Sequence, residues 1–124
     1  MPKILLVEDN DDNWDMLSRR LERRSFSVER AADGVQAVAK AGEGFDLILM
    51  DVNLPLMDGL EATRRIRAGA TGPRLPIIVL SAHALTTDED KAIAAGADAY
   101  HTKPVQLPLL LEQIERLLKT PSPS

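Results

Sequence analysis

Short unbroken apolar runs alternate along this chain with longer stretches in which apolar residues recur at helical spacing. The runs are Ile4-Leu5-Leu6-Val7, Leu47-Ile48-Leu49-Met50 and Ile77-Ile78-Val79-Leu80. Four apolar residues bounded by turn signals read as a strand buried on both faces, the pattern of a parallel sheet. Phe26-Ser27-Val28 is a weaker strand. The alternation calls for a fifth from Asp98 to His101, ended by Lys103-Pro104.

Helical stretches fill the intervals. The first begins near Asn10 or Asp11, since these residues cap helix starts and acids suit the first turn. Trp14, Leu17 and Leu21 give it one apolar stripe, while Arg19, Arg20, Arg23 and Arg24 form a solvated face in its later turns, where they favour the helix dipole. Asp33-Gly34 marks a turn, and Val35 to Ala41 reads as a short helix closed by Gly42 and Gly44. Asn53 to Met57 is a loop, after which Asp58-Gly59 opens a helix carrying Leu60 and Ile66. Gly69 to Pro76 is a glycine- and proline-rich loop. Thr86 and Glu89 match a capping box for a helix from about Thr87 to Ala95, stopped by Gly96. Its alanines offer few large anchors, which suits an element that shifts. The last helix runs from about Gln106 to Lys119, with Leu110, Ile114, Leu117 and Leu118 on its apolar face. Residues 1–119 are thus expected to form one domain and 120–124 a disordered tail.

Strand–helix units repeated five times imply an α/β fold, a parallel sheet covered on both faces through right-handed crossovers. The size fits a five-stranded doubly wound sheet of order 2-1-3-4-5, an order that known folds of this kind adopt. The three most apolar runs then occupy its centre.

Composition narrows the function. The 124 residues suit a single domain with a real core. The absence of cysteine excludes disulfides, thiolate metal sites and cysteine nucleophiles. No run approaches the roughly 18 apolar residues of a membrane span, and no signal peptide opens the chain, so a cytoplasmic protein without membrane insertion is expected. A net charge of −4 argues against nucleic acid as a direct partner.

The chemistry gathers where strands end, which is where open α/β sheets bind ligands. The first strand delivers Glu8 and Asp9, the third Asp51, the fourth Ser81 and the fifth Lys103. Two bare charges about 4 Å apart repel by roughly 4 kcal/mol at an effective dielectric of about 20. A hard cation relieves that repulsion, and few, short oxygen ligands point to magnesium. Asp51 is then a nucleophile toward a phosphoryl group, Lys103 neutralises charge on its oxygens, and the Ser81 hydroxyl grips one of them.

Val7-Glu8-Asp9-Asn10, the run from Leu49 to Pro55 with Met57-Asp58-Gly59, Ser81-Ala82, and Tyr100 with Lys103-Pro104 resemble the receiver domain of two-component response regulators, from about residue 3 to 119. The resemblance implies the flavodoxin-like receiver fold and phosphorylation of Asp51 by a histidine kinase or histidine phosphotransfer protein. It implies Mg2+ held by Asp9, Asp51 and the main-chain carbonyl of Asn53, with Glu8 acting through water. It also implies that Ser81 and Tyr100 act as switch residues, remodelling the face of the fourth helix, fifth strand and fifth helix for a downstream target protein. The family usually has a cis bond before the proline matching Pro104.

Taken singly, these residues have plainer readings. Tyr100 is an edge aromatic, Lys103 a surface lysine, Gly59 a turn glycine and Trp14 a core contact of the first helix. His83 sits near the site in a loop, and His101 is a surface residue. With nothing beyond the short tail, a stand-alone regulator without an output domain is expected, not an enzyme beyond its own phosphorylation and dephosphorylation. The alternatives are a receiver excised from a hybrid kinase or larger regulator, and a pseudo-receiver that binds partners unphosphorylated. A haloacid dehalogenase-type phosphatase would want an aspartate where Asn53 stands, and a flavodoxin's flavin phosphate would be repelled by three carboxylates.

Overall fold

The computed structural model describes residues 2–69, 75–82 and 86–119, without the side chains of residues 86, 87 and 119. His83, the Thr86 side chain expected as a cap and the tail at 120–124 lie outside the described residues. The elements follow in the order β1 (Lys3–Val7), α1 (Asp11–Glu22), β2 (Ser27–Ala31), α2 (Gly34–Lys40), β3 (Leu47–Asp51), α3 (Gly59–Ala68), β4 (Ile77–Ser81), α4 (Thr86–Ala95), β5 (Ala99–Thr102) and α5 (Leu107–Lys119). All four strand pairings are parallel, and the sheet order is β2-β1-β3-β4-β5.

Strand side chains alternate between the two faces of the sheet, so each apolar run feeds two cores at once. Leu5, Val7, Ile48, Met50, Ile77 and Val79 meet Ala37, Ala62, Ile66 and Ala92 from α2, α3 and α4. Ile4, Leu6, Leu47, Leu49, Ile78 and Leu80 meet Leu17, Leu21, Leu110 and Ile114 from α1 and α5. Each such buried Leu or Ile stabilises the fold by about 1.5–3 kcal/mol relative to exposure. This double use makes β1, β3 and β4 nearly wholly apolar, while the edge strands β2 and β5 are half-buried.

Caps set the helix starts. Asn10 accepts the Asn13 N–H at 2.9 Å, Asp33 accepts that of Gln36 at 2.8 Å, and Asp58 accepts that of Glu61 at 2.9 Å. With Asp33 as the cap, α2 opens at Gly34 and closes at Lys40, one residue earlier at each end than its apolar pattern suggests. β5 begins one residue later than expected. Asp98 anchors its entry, with the carboxylate accepting the Ile77 N–H at 2.8 Å and the Arg67 guanidinium at 2.6 Å. In α4, Ala92 and Ala95 are buried while Ile93 is 48% exposed, so among the described side chains only small ones hold the helix to the core.

Candidate metal and phosphoryl site

Asp51 is the last residue of β3 and only 4% exposed, because β1 and β4 flank its strand on both sides. Glu8, 5% exposed, follows β1 and donates its N–H to Ala31 O at 3.0 Å, extending the pairing with β2. Asp9 is exposed at the rim. Glu8, Asp9 and Asp51 each offer a carboxylate oxygen, and the three oxygens lie within 4.8 Å of one another.

Lys103 closes the group from the far edge. Its backbone N–H donates to Ser81 O at 2.7 Å, and the following peptide bond to Pro104 is cis. The ammonium reaches back across β4 to donate to Glu8 Oε1 and Asp51 Oδ2, each at 3.1 Å. Burial pushes the Lys103 pKa down, but the charge of Asp51 and the hydrogen bonds to Glu8 and Asp51 outweigh it, so the net shift is upward. The lysine therefore stays charged. Glu8 Oε2 accepts the Asn10 N–H at 3.2 Å, and Asp51 Oδ1 accepts the Asn53 N–H at 3.3 Å.

One ammonium against three carboxylates leaves a negative surplus in a small, partly buried space. The donors there are hard oxygens, with neither imidazole nor thiolate in the group, and that donor set suits Mg2+ or Ca2+. A hard divalent cation thus fits the residues present.

The remaining expected residues lie on the neighbouring strands and in the loop after β3. Ser81, 2% exposed, ends β4 one position beyond Leu80, the register partner of Asp51. Tyr100 pairs with Val79 in β5 and packs, partly buried, on the core under α2, α3 and α4. Asn53 lies exposed in the loop after Asp51. Gly59 is more than a turn residue: a Cβ there would lie 2.1 Å from the Asp51 carbonyl oxygen. Leu56, for which the sequence carries no signal, is 84% exposed with φ 67°. Left-handed backbone costs a non-glycine residue roughly 1–2 kcal/mol, so this loop tip is held against a local preference. His101 is half-buried in β5, beside Leu80 of β4, rather than a plain surface residue. Beside the acidic group a cleft of about 540 Å³ opens, lined by Leu17, Leu80, Val105 and Leu107 as well as Glu8 and Lys103.

The family model of the response regulator receiver domain matches residues 4–115. The receiver domain of sensor histidine kinase PA1611 from Pseudomonas aeruginosa PAO1, solved with a magnesium ion coordinated in its active site cleft, is 41% identical with a TM-score of 0.89, covering 96% of this chain and 98% of that one. Response regulator MprA of Mycobacterium sp. (strain KMS) is 39% identical over 122 residues, 98% of this chain and 52% of that protein. Hybrid signal transduction histidine kinase I of Dictyostelium discoideum is 39% identical over 120 residues, 90% of this chain but 7% of that protein. The chain thus spans about half, or far less, of the curated relatives it matches. Among the described residues, no helix is long and apolar enough to cross a membrane.

Proposed function

The chain belongs to the response regulator receiver family, and from that premise we propose that Asp51 accepts a phosphoryl group from a phosphohistidine on a histidine kinase or histidine phosphotransfer protein. The observation that carries this reading is the convergence of Glu8, Asp9 and Asp51 within 4.8 Å, with Lys103 bridging two of them. An Asp51 carboxylate oxygen attacks phosphorus, the bond from phosphorus to the donor imidazole nitrogen breaks, and that nitrogen leaves with the bonding pair. Lys103 holds charge on the phosphoryl oxygens as it moves from the donor. Glu8, Asp9 and Asp51, with the Asn53 carbonyl, would hold Mg2+, which supplies further neutralisation of phosphoryl charge when bound. The cleft between α1 and the start of α5, apolar along Leu17, Leu80, Val105 and Leu107 with charged groups at its edge, suits a helix of the donor protein.

The same reading makes Ser81 and Tyr100 the switch. The Ser81 hydroxyl turns to a phosphoryl oxygen at the end of β4, and Tyr100 repacks beside α4, whose small anchors allow it to shift. A downstream target protein then reads the α4–β5–α5 face as a population shift. The chain serves as its own phosphoacceptor rather than as an enzyme with a separate substrate. The resemblance to hybrid kinases favours a second setting for the same chemistry, a receiver working within a longer kinase chain.

Incubation with acetyl phosphate, read by intact mass, tests the proposal. One added phosphoryl group is expected with Mg2+ and none without it, and Asp51→Asn should stay unlabelled. An unlabelled wild type that still binds partners would make the chain a pseudo-receiver.

A further inference from the structure

We propose that Arg30 is a positioning residue for the acidic loop, holding the Glu8–Asp9 peptide so that the Asp9 carboxylate faces Glu8 and Asp51. The proposal rests on reading those carboxylates as a magnesium site. Arg30 lies in the edge strand β2, opposite Leu6, where an arginine would ordinarily extend into solvent. Instead its guanidinium makes three contacts at once. Nε donates to Glu8 O at 3.0 Å, one terminal nitrogen meets Asp11 Oδ1 at 2.9 Å, and the group stands 5.7 Å from the Trp14 ring centroid. One planar cation thereby ties the end of β1 to the first turn of α1.

Glu8 is bonded at every polar group. Its N–H reaches Ala31, its carboxylate receives Asn10 N–H and Lys103, and its carbonyl receives Arg30. The peptide is planar, so fixing the Glu8 carbonyl also fixes the nitrogen of Asp9. On the other side Asn10 is pinned as the cap of α1. Asp9 itself is exposed, and no described residue hydrogen-bonds its carboxylate. The direction of that carboxylate therefore depends on the backbone either side of it, and Arg30 sets one side. Lysine has a single point charge and cannot reproduce the fork.

The sign of the effect separates positioning from plain electrostatics. Arg30 is a positive charge near an acidic group. If charge were its only influence, removing it would tighten cation binding. If it orients Asp9, removing it loosens binding, and outer partners of metal ligands typically change affinity by about 10–100-fold.

The test is a Mg2+ titration of the full chain, followed by calorimetry and by the amide signals of Asp9 and Asn10. Trp14 emission is avoided as the probe because Arg30 touches the ring. Arg30→Gln should bind Mg2+ about 10-fold more weakly with its far-UV circular dichroism unchanged. Arg30→Lys should also bind more weakly although the charge is kept, and it carries the test if the glutamine variant does not fold. Affinity equal to or tighter than wild type in the folded variants overturns the proposal. A wild type that ignores Mg2+ ends both the magnesium reading and this one, whereas unchanged variants beside a binding wild type end this one alone.

Discussion

The Lys103 ammonium stands 3.1 Å from Glu8 Oε1 and 3.1 Å from Asp51 Oδ2, so one cation after the last strand clasps carboxylates from the first and third. It occupies the place where a phosphoryl group would bring more negative charge, and it competes with any cation drawn to the same oxygens. Lys103→Met should therefore raise Mg2+ affinity in calorimetry, since a repelling charge is gone. The same change should slow phosphorylation by acetyl phosphate by about 10²-fold, the usual cost of removing one group that stabilises developing charge. Weaker Mg2+ binding in Lys103→Met would contradict this account of the pair.

Gly59 carries the loop after Asp51 closely over the strand end. An added Cβ would meet the Asp51 carbonyl oxygen at 2.1 Å, and backbone on both sides cannot give way cheaply. Gly59→Ala should lower urea-unfolding stability by about 1–3 kcal/mol, the range for overpacking. Gly42→Ala, with nothing within 4 Å of the new carbon, should stay within about 0.5 kcal/mol of wild type.

α4 should open more easily than α1. Its described contacts to the core are the small Ala92 and Ala95, whereas α1 buries Leu17 and Leu21. Native-state amide exchange is expected to show a lower opening free energy across α4. Equal protection in the two helices would remove the basis for treating α4 as the moving part.

Burial holds the His101 imidazole below its ordinary pKa of 6.5. The unfolded chain therefore binds more protons than the folded one between the folded pKa and 6.5, and stability falls as pH drops through that window. Above 6.5 the contribution is complete. Thermal midpoints of wild type and His101→Gln, measured from pH 7.5 down to about 5.5, should diverge, with wild type declining more steeply on the acid side. Parallel curves would mean that the ring titrates alike in both states.

Much of this architecture was legible because one physical cause wrote it plainly. Strands buried on both faces must be apolar throughout, so β1, β3 and β4 stood out, and their ends located Glu8, Asp9, Asp51 and Ser81. The edge strands were harder to read, since each needs only partial burial. β5 starts after Asp98 because that carboxylate is bonded to Ile77 N–H and Arg67, a tertiary contact with no local signal. His101 looked like surface for the same reason: its half-burial depends on tertiary neighbours that sequence spacing does not reveal. Gly59 looked like a turn glycine, while the space it leaves for the Asp51 carbonyl is visible only in three dimensions. Arg30 gave no sign at all. It lies beyond the weak strand Phe26-Ser27-Val28 that the pattern shows, because β2 runs on to Ala31, and its partners at positions 8, 11 and 14 are brought to it by the parallel crossover.

The central claim is that Asp51 receives a phosphoryl group and that Ser81 and Tyr100 respond. Its most direct measurement is the amide NMR spectrum during titration with beryllofluoride and Mg2+, which together mimic an aspartyl phosphate. In wild type, saturable and magnesium-dependent shifts are expected at Glu8, Asp51 and Ser81 and onward to Tyr100 and α4, while Asp51→Asn should show none of the beryllofluoride-dependent changes. A wild-type spectrum unmoved by beryllofluoride at saturating magnesium, or shifts that persist in Asp51→Asn, would contradict the account.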